Sequence, residues 1–206
     1  MSDLAFFIDP ARCINCRTCE AACASCEHHL GVSMIHFTTS YPGGTTRSFA
    51  QVCMHCEDPV CVRVCVPEAI RVAADGTVLG VDRELCTSCQ LCVDACPFGV
   101  PLYVENLHSV MKCDMCHDRR LSGERPMCAT ACPTGALAFL PRAEMEQSRR
   151  CTIVRDLAFG SETIRTRAHF VFRQGQDALH GAFFDVADVL QDTECAANYG
   201  QEGCPR

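Results

Sequence analysis

The chain has 206 residues, a formal net charge of −7 and 20 cysteines, several times ordinary globular usage. The acidic balance, without any basic run, argues against nucleic acid as a partner, and no stretch of eighteen apolar residues offers a direct membrane span. The start, Met1 to Pro10, lacks a basic n-region, a small-residue cleavage site and a twin-arginine pair, so a reducing, cytoplasmic compartment is expected, where clustered cysteines serve as metal ligands.

Leu4 to Ile8 (LAFFI) reads as a short buried strand, ended by Asp9-Pro10. The first cysteine quartet follows, Cys13-x2-Cys16-x2-Cys19-x3-Cys23. This is bacterial ferredoxin spacing, in which a short loop wraps three thiolates around one cubane and the fourth cysteine ligates a different cluster. A polar segment from Gly31 to Ser48 leads to the second quartet, Cys53-x2-Cys56-x4-Cys61-x3-Cys65. Ala69 to Ala73 and Thr77 to Val81 then flank Asp75-Gly76, a hairpin signal.

The third quartet, Cys86-x2-Cys89-x2-Cys92-x3-Cys96-Pro97, repeats the first. Ile8-Asp9-x3-Cys13 matches Val81-Asp82-x3-Cys86, and every member is displaced by 73 residues. The fourth, Cys113-x2-Cys116-x11-Cys128-x3-Cys132-Pro133, repeats the second. Its first two cysteines are displaced by 60 and its last two by 67, and Ala69-Ile70 recurs as Ala136-Leu137.

An α+β fold follows, with two bacterial-ferredoxin-like modules of interleaved quartets and a C-terminal extension. The inner module is residues 51–97, holding the second and third quartets. The outer module joins 1–50 to 98–140, holding the first and fourth, with 98–112 as the crossover. The extension, 141–206, is assigned to partner docking; it suggests a helix at 143–150, a strand at 162–172 and an amphipathic helix at 178–190.

Exchange of the fourth cysteine within each pair of quartets predicts four ligand sets. Cys13, Cys16 and Cys19 take Cys132, and Cys113, Cys116 and Cys128 take Cys23. Cys53, Cys56 and Cys61 take Cys96, and Cys86, Cys89 and Cys92 take Cys65. Zinc knuckles and disulfides are the rival readings, but zinc ribbons use paired C-x2-C and disulfides do not favour this spacing. Cys26, Cys151, Cys195 and Cys204 are expected as free thiols, although Cys26 extends the first quartet by another x2 step. His28, His29 and His55 lie near ligand loops as polar surface or supporting residues. Ile14, Met54, Val60, Leu91, Met115 and Met127 are expected to shield the metal sites. No nucleophile, acid–base pair or nucleotide loop stands out, so the available chemistry is one-electron transfer.

Taken whole, Cys113-Asp-Met-Cys116-x2-Arg119-x3-Gly123-x2-Pro126-x-Cys128-x3-Cys132-Pro133-Thr134-x-Ala136-Leu137 resembles the four-cluster iron–sulfur subunits of the dimethyl-sulfoxide-reductase type. The resemblance covers residues 6–140 and implies the same pairing of quartets. It also implies a non-catalytic electron-transfer subunit with four [4Fe–4S] clusters. Such a subunit joins a large catalytic redox subunit, a molybdenum or tungsten pterin enzyme or a hydrogenase, to a membrane subunit or a soluble electron carrier. One departure is Cys65-Val66-Pro67, with proline one residue later than the family's Cys-Pro, which implies an altered loop with its cluster kept. The alternative function is a free polyferredoxin-type shuttle.

Overall fold

The computed structural model describes residues 4–40, 47–159 and 162–173. Cys195, Cys204 and the helix expected at 178–190 lie outside the described residues. In chain order the first half holds β1 (Leu4–Ile8), α1 (Thr18–Ala24), the hairpin β2 (His36–Ser40) and β3 (Arg47–Gln51), α2 (Val60–Arg63), and the hairpin β4 (Ile70–Val72) and β5 (Val78–Val81). The second half holds α3 (Leu91–Asp94), the hairpin β6 (Leu102–Val104) and β7 (Ser109–Met111), α4 (His117–Leu121) and α5 (Met127–Ala131). It closes with β8 (Leu137–Pro141), α6 (Arg142–Ser148), β9 (Cys151–Phe159) and β10 (Glu162–Arg173).

The sequence repeat is also a backbone repeat. β1 and β8 pair antiparallel with Ile8 opposite Leu137, and β5 and β4 pair antiparallel with Val81 opposite Ile70. The next residue repeats its hydrogen bond: Asp9 N–H donates to Ala136 O at 2.7 Å, and Asp82 N–H to Ala69 O at 2.8 Å. The residue before the second cysteine of each quartet is left-handed, with φ of 56° at Asn15, 45° at His55, 59° at Ser88 and 58° at Met115. Non-glycine residues adopt this region uncommonly. Four recurrences at one position show that the loop turns tightly there, which lets cysteines two residues apart share an inner face.

β1 carries an unbroken apolar run because it is central and covered on both faces. The sheet order is β8-β1-β10-β9, with β1 and β10 parallel. Phe6 and Ile8 enter the main core with Phe139, Ala168 and Phe170, while Ala5 and Phe7 pack on the opposite side with Met145 of α6.

The helix expected at 143–150 and the strand expected at 162–172 are present as α6 and β10, and β9 precedes β10 as its antiparallel partner. Residues 151–173, within the extension expected at 141–206, complete the four-stranded sheet with β1 and β8. The register of β10 on β9 breaks between Arg165 and Phe170. There Arg167 N–H and Ala168 N–H each donate to Met54 O at 3.1 Å, and Glu57 N–H donates to Arg165 O at 2.9 Å. β10 thereby clamps the second quartet's loop to the sheet of the first. The crossover 98–112 is likewise structured: β6 and β7 place Tyr103 and Val110 in the inner core with Ile70 and Val78, and Val104 and Met111 in the main core.

A largely buried ion pair ties the loop after β1 to the residue after α6. Arg149 Nη1 donates to Asp9 Oδ2 at 2.7 Å and Nη2 to Gly135 O at 2.8 Å, with the two side chains 13% and 10% exposed. Arg149→Met leaves the Asp9 carboxylate with the Ala11 N–H at 3.1 Å and the half-exposed Arg12 at 3.8 Å, so the cost is about 2 kcal/mol, below that of a fully stranded buried charge. Denaturant unfolding of the metal-loaded chain measures this, and a loss below about 1 kcal/mol would count against the pair.

Candidate metal centres

Four groups of cysteines are brought together by these loops. Cys13, Cys16, Cys19 and Cys132 line one cavity with Phe37, Ala50 and Leu137. Cys23, Cys113, Cys116 and Cys128 line a second, which Cys53 and His55 also border. Cys65, Cys86, Cys89 and Cys92 line a third between Ile70, Val81 and Val110. In the fourth group, Cys53, Cys96 and Cys61 lie within electrostatic reach of Cys56, and burial together with these neighbours pushes its thiol up to about 12.

Each of the first three cavities holds three thiols from one quartet and one from its partner quartet. The short helices explain this exchange. α1 carries Cys19 toward one cavity and leaves Cys23, beyond its first turn, facing the next. α2 and α3, of four residues each, do the same for Cys61 and Cys65 and for Cys92 and Cys96.

The groups form a row. Cys19 is an electrostatic neighbour of Cys128, Cys113 of Cys53, and Cys61 of Cys92. The Cys113 and Cys53 groups are therefore neighbours at the middle of the row, with the Cys13 group and the Cys86 group at the ends. Cys16 and Cys89 are the two exposed members of the sixteen, and both lie at these ends.

Burial is the main cause of the high thiol pKa values, which reach about 11 at Cys19, Cys92 and Cys116 and about 12 at Cys61. A metal that binds thiolates would offset that penalty. Donors already converge on several sulfurs: Met34 N–H on Cys23 and Met115 N–H on Cys113, both at 3.3 Å, and Leu137 N–H on Cys132 at 3.4 Å. The Thr18 hydroxyl donates to Cys16 at 3.4 Å and holds that thiol below its ordinary value.

The donor set fits a cluster better than a single ion. Zinc bonded to sulfur at about 2.3 Å would draw its thiolates to within about 3.8 Å of one another. Among the described residues no three Cys, His, Asp or Glu side chains converge in that way, and the described cysteines are free of disulfides. Four thiols set apart around one apolar pocket, three from a single loop, instead suit a cluster that offers a separate iron to each.

Of the shielding residues, Met54 and Met115 are buried and Val60 and Met127 are half-buried. Ile14 and Leu91, 65% and 47% exposed, face solvent instead because both flank the outermost quartet loops. His28 is exposed near Asp118, whereas His29 and His55 are buried against quartet cysteines. His29 Nδ1 donates to Cys23 O at 2.8 Å, and His55 Nε2 lies 3.9 Å from Cys113 Sγ. Cys26 is half-buried within electrostatic reach of Cys23 and Cys116, and Cys151 packs at the start of β9 against the small core of Phe7 and Met145. Lys112, buried beside Cys113, was not singled out from the sequence, because an adjacent lysine carries no spacing signal.

Comparison with known proteins agrees with this chemistry. The family model of the 4Fe–4S dicluster domain matches residues 45–142. The B subunit of the anaerobic dimethyl sulfoxide reductase of Escherichia coli (strain K12) is 37% identical over 155 residues, 69% of this chain and 75% of that protein. Its counterpart in Haemophilus influenzae is 36% identical over 161 residues, covering 70% and 77%. The iron–sulfur subunit of the nitrate-inducible formate dehydrogenase of Escherichia coli (strain K12) is 30% identical over 165 residues, covering 70% of this chain and 56% of that subunit.

Proposed function

Because this chain belongs to the family of iron–sulfur subunits found in dimethyl sulfoxide reductases and formate dehydrogenases, we propose that its sixteen quartet cysteines hold the clusters in the four crossed sets of the two modules. The protein is an electron-transfer subunit with four [4Fe–4S] clusters. When bound, these supply reversible one-electron chemistry.

The observation that carries the reading is the single row of four cysteine groups, with exposed members only at its ends. The chain's own residues anchor each cluster with four thiolates, leaving no open coordination position for a substrate. They keep water from the central sites with Met54, Met115, Phe98 and Val100, all buried. Thr18 and the loop N–H groups donate to the sulfurs, which favours the reduced, more negative state.

The partners follow from the ends of the row. A large catalytic redox subunit, of the molybdenum or tungsten pterin type that the resemblance implies, docks at one end. A second carrier, soluble or in a membrane subunit, docks at the other. Among the described residues no helix is long and apolar enough to cross a membrane. Ile14 beside Cys13 and Val66 beside Cys65, 65% and 85% exposed, supply apolar contact area at the two ends.

Anaerobic purification from the native host tests this. Retention of a stoichiometric catalytic subunit is the expected result, whereas a loaded chain that purifies alone and serves several acceptors equally would favour the shuttle. Ile14→Glu or Val66→Glu should weaken retention of one partner about tenfold without loss of iron, as expected when a charge enters an apolar contact. Unchanged retention in both variants would remove these ends as docking surfaces.

A further inference from the structure

The boundary between the modules holds a buried cation that the cysteine sets do not account for. Lys112 is 3% exposed, and its ammonium donates to Val78 O at 2.9 Å and Cys113 O at 2.5 Å. Among the described residues it takes part in no ion pair with a carboxylate. A lysine this deep is rare without a counter-charge, since burying an unpaired ammonium costs several kcal/mol. A neutral amide could bond the same two carbonyls at far lower desolvation cost. The charge itself therefore needs a purpose, and the nearest negative charge is that of the thiolates. Lys112 lies within electrostatic reach of Cys61 on one side of the boundary and Cys113 on the other.

His55 completes the arrangement from the inner module. It stands between Cys53 and Cys56, is 1% exposed, and borders the cavity of the Cys113 group. Val78 N–H donates to its Nδ1 at 3.2 Å, so the neutral ring carries its proton on Nε2, which is 3.9 Å from Cys113 Sγ. One residue, Val78, thus orients both side chains, its N–H holding His55 and its carbonyl holding Lys112. Arg120, bonded to Asp75 at 3.1 Å and to the Thr77 hydroxyl at 2.5 Å, fixes the turn that positions Val78.

We propose that Lys112 and His55 are positioning residues for electron passage between the modules, Lys112 as the counter-charge shared by the two central sites and His55 as a hydrogen-bond donor to the Cys113 sulfur. The proposal rests on the cluster assignment above. Reduction of either central site adds one electron and no proton, and the neighbouring site is oxidised by one electron in the same step. A fixed positive charge stabilises the more negative state. The two central sites are accordingly held at higher potential than they would otherwise have, and the terminal sites are not.

Anaerobic redox titration of the whole complex, followed by electron paramagnetic resonance, tests this. Iron analysis first checks the assignment: far fewer than about sixteen irons per wild-type chain would sink that reading by itself. In a fully loaded Lys112→Gln variant, at least one central site should become harder to reduce by tenfold or more, about 59 mV for a one-electron couple. Lys112→Arg should restore it, and the terminal sites should not move. His55→Leu should lower the Cys113 site alone, while His55→Gln, which keeps a donor, should retain most of the wild-type value. A loaded Lys112→Gln with four unshifted potentials overturns the proposal, as does an equal shift at all four sites. Where Lys112→Gln fails to load, His55→Leu decides: a shift confined to the Cys113 site supports the proposal and no shift overturns it.

Discussion

Cys65→Ala removes the metal site of Cys86, Cys89 and Cys92, and leaves the site of its own neighbours Cys53, Cys56 and Cys61 loaded. Cys65 shares a cavity with the third-quartet cysteines and is an electrostatic neighbour of Cys92, whereas Cys96 is the neighbour of Cys56 and Cys61. The iron count should fall below about sixteen per chain. The resonance that vanishes or changes form should be the one lost in Cys92→Ala and not the one lost in Cys61→Ala. Cys96→Ala should give the reverse match. If Cys65→Ala instead resembles Cys61→Ala, the quartets are not crossed and the two modules would have to be redrawn. The same test in the outer module compares Cys132→Ala with Cys19→Ala, since both thiols line one cavity.

Removing the clusters should abolish the fold of the ferredoxin-like modules. α2 and α3 are four residues long and β4, β6 and β7 three, too short to persist without tertiary support. Cys19, Cys23 and Cys128 are members of the main core, and Cys61 and Cys92 of a second. Cysteines that occupy core positions are held there by a metal they bind only in the fold, so binding energy becomes folding energy. Chelation under reducing conditions should erase most far-ultraviolet circular dichroism and open the chain to protease. A metal-free chain with native dichroism would refute this.

The thiol pKa values give the pH dependence of both states. A thiol must lose its proton before it binds iron, so loading releases protons and weakens as pH falls. In the metal-free chain the sign is opposite. Unfolded thiols ionise near their ordinary 9.0, while burial in the fold keeps Cys56 and Cys61 protonated up to about 12. The fold then binds more protons than the unfolded chain across that window. Any residual metal-free structure is therefore less favoured as pH rises from 9 to 12, and the loss of circular dichroism on chelation should become more complete over that range.

Docking surfaces and the module boundary differ in how they can be recognised. Ile14 and Leu91 read as shielding residues from their place between ligands, yet they are exposed, because residues between closely spaced cysteines line the outside of the loop as readily as the inside. Residues 141–173 read as an appended tail, yet β10 lies between β1 and β9. Strand pairing across more than 150 residues leaves no local pattern, and the register of Phe6 on Ala168 is set by shared burial of their neighbours.

The quartets, their displacement by 73, 60 and 67 residues, and the equivalence of Ile8-Asp9 with Val81-Asp82 were all readable in the linear sequence. Ligand spacing within a loop is a local covalent constraint, and a duplicated loop repeats it. The order of the four groups in one row, with the Cys113 and Cys53 groups meeting at the centre, was not readable there. Nor was the role of Lys112, which looks like any lysine until it is found 3% exposed and bonded to Val78, 34 residues away. Long-range packing decides which thiol faces which, and the energy of a buried charge depends on everything around it and on nothing in its sequence neighbourhood.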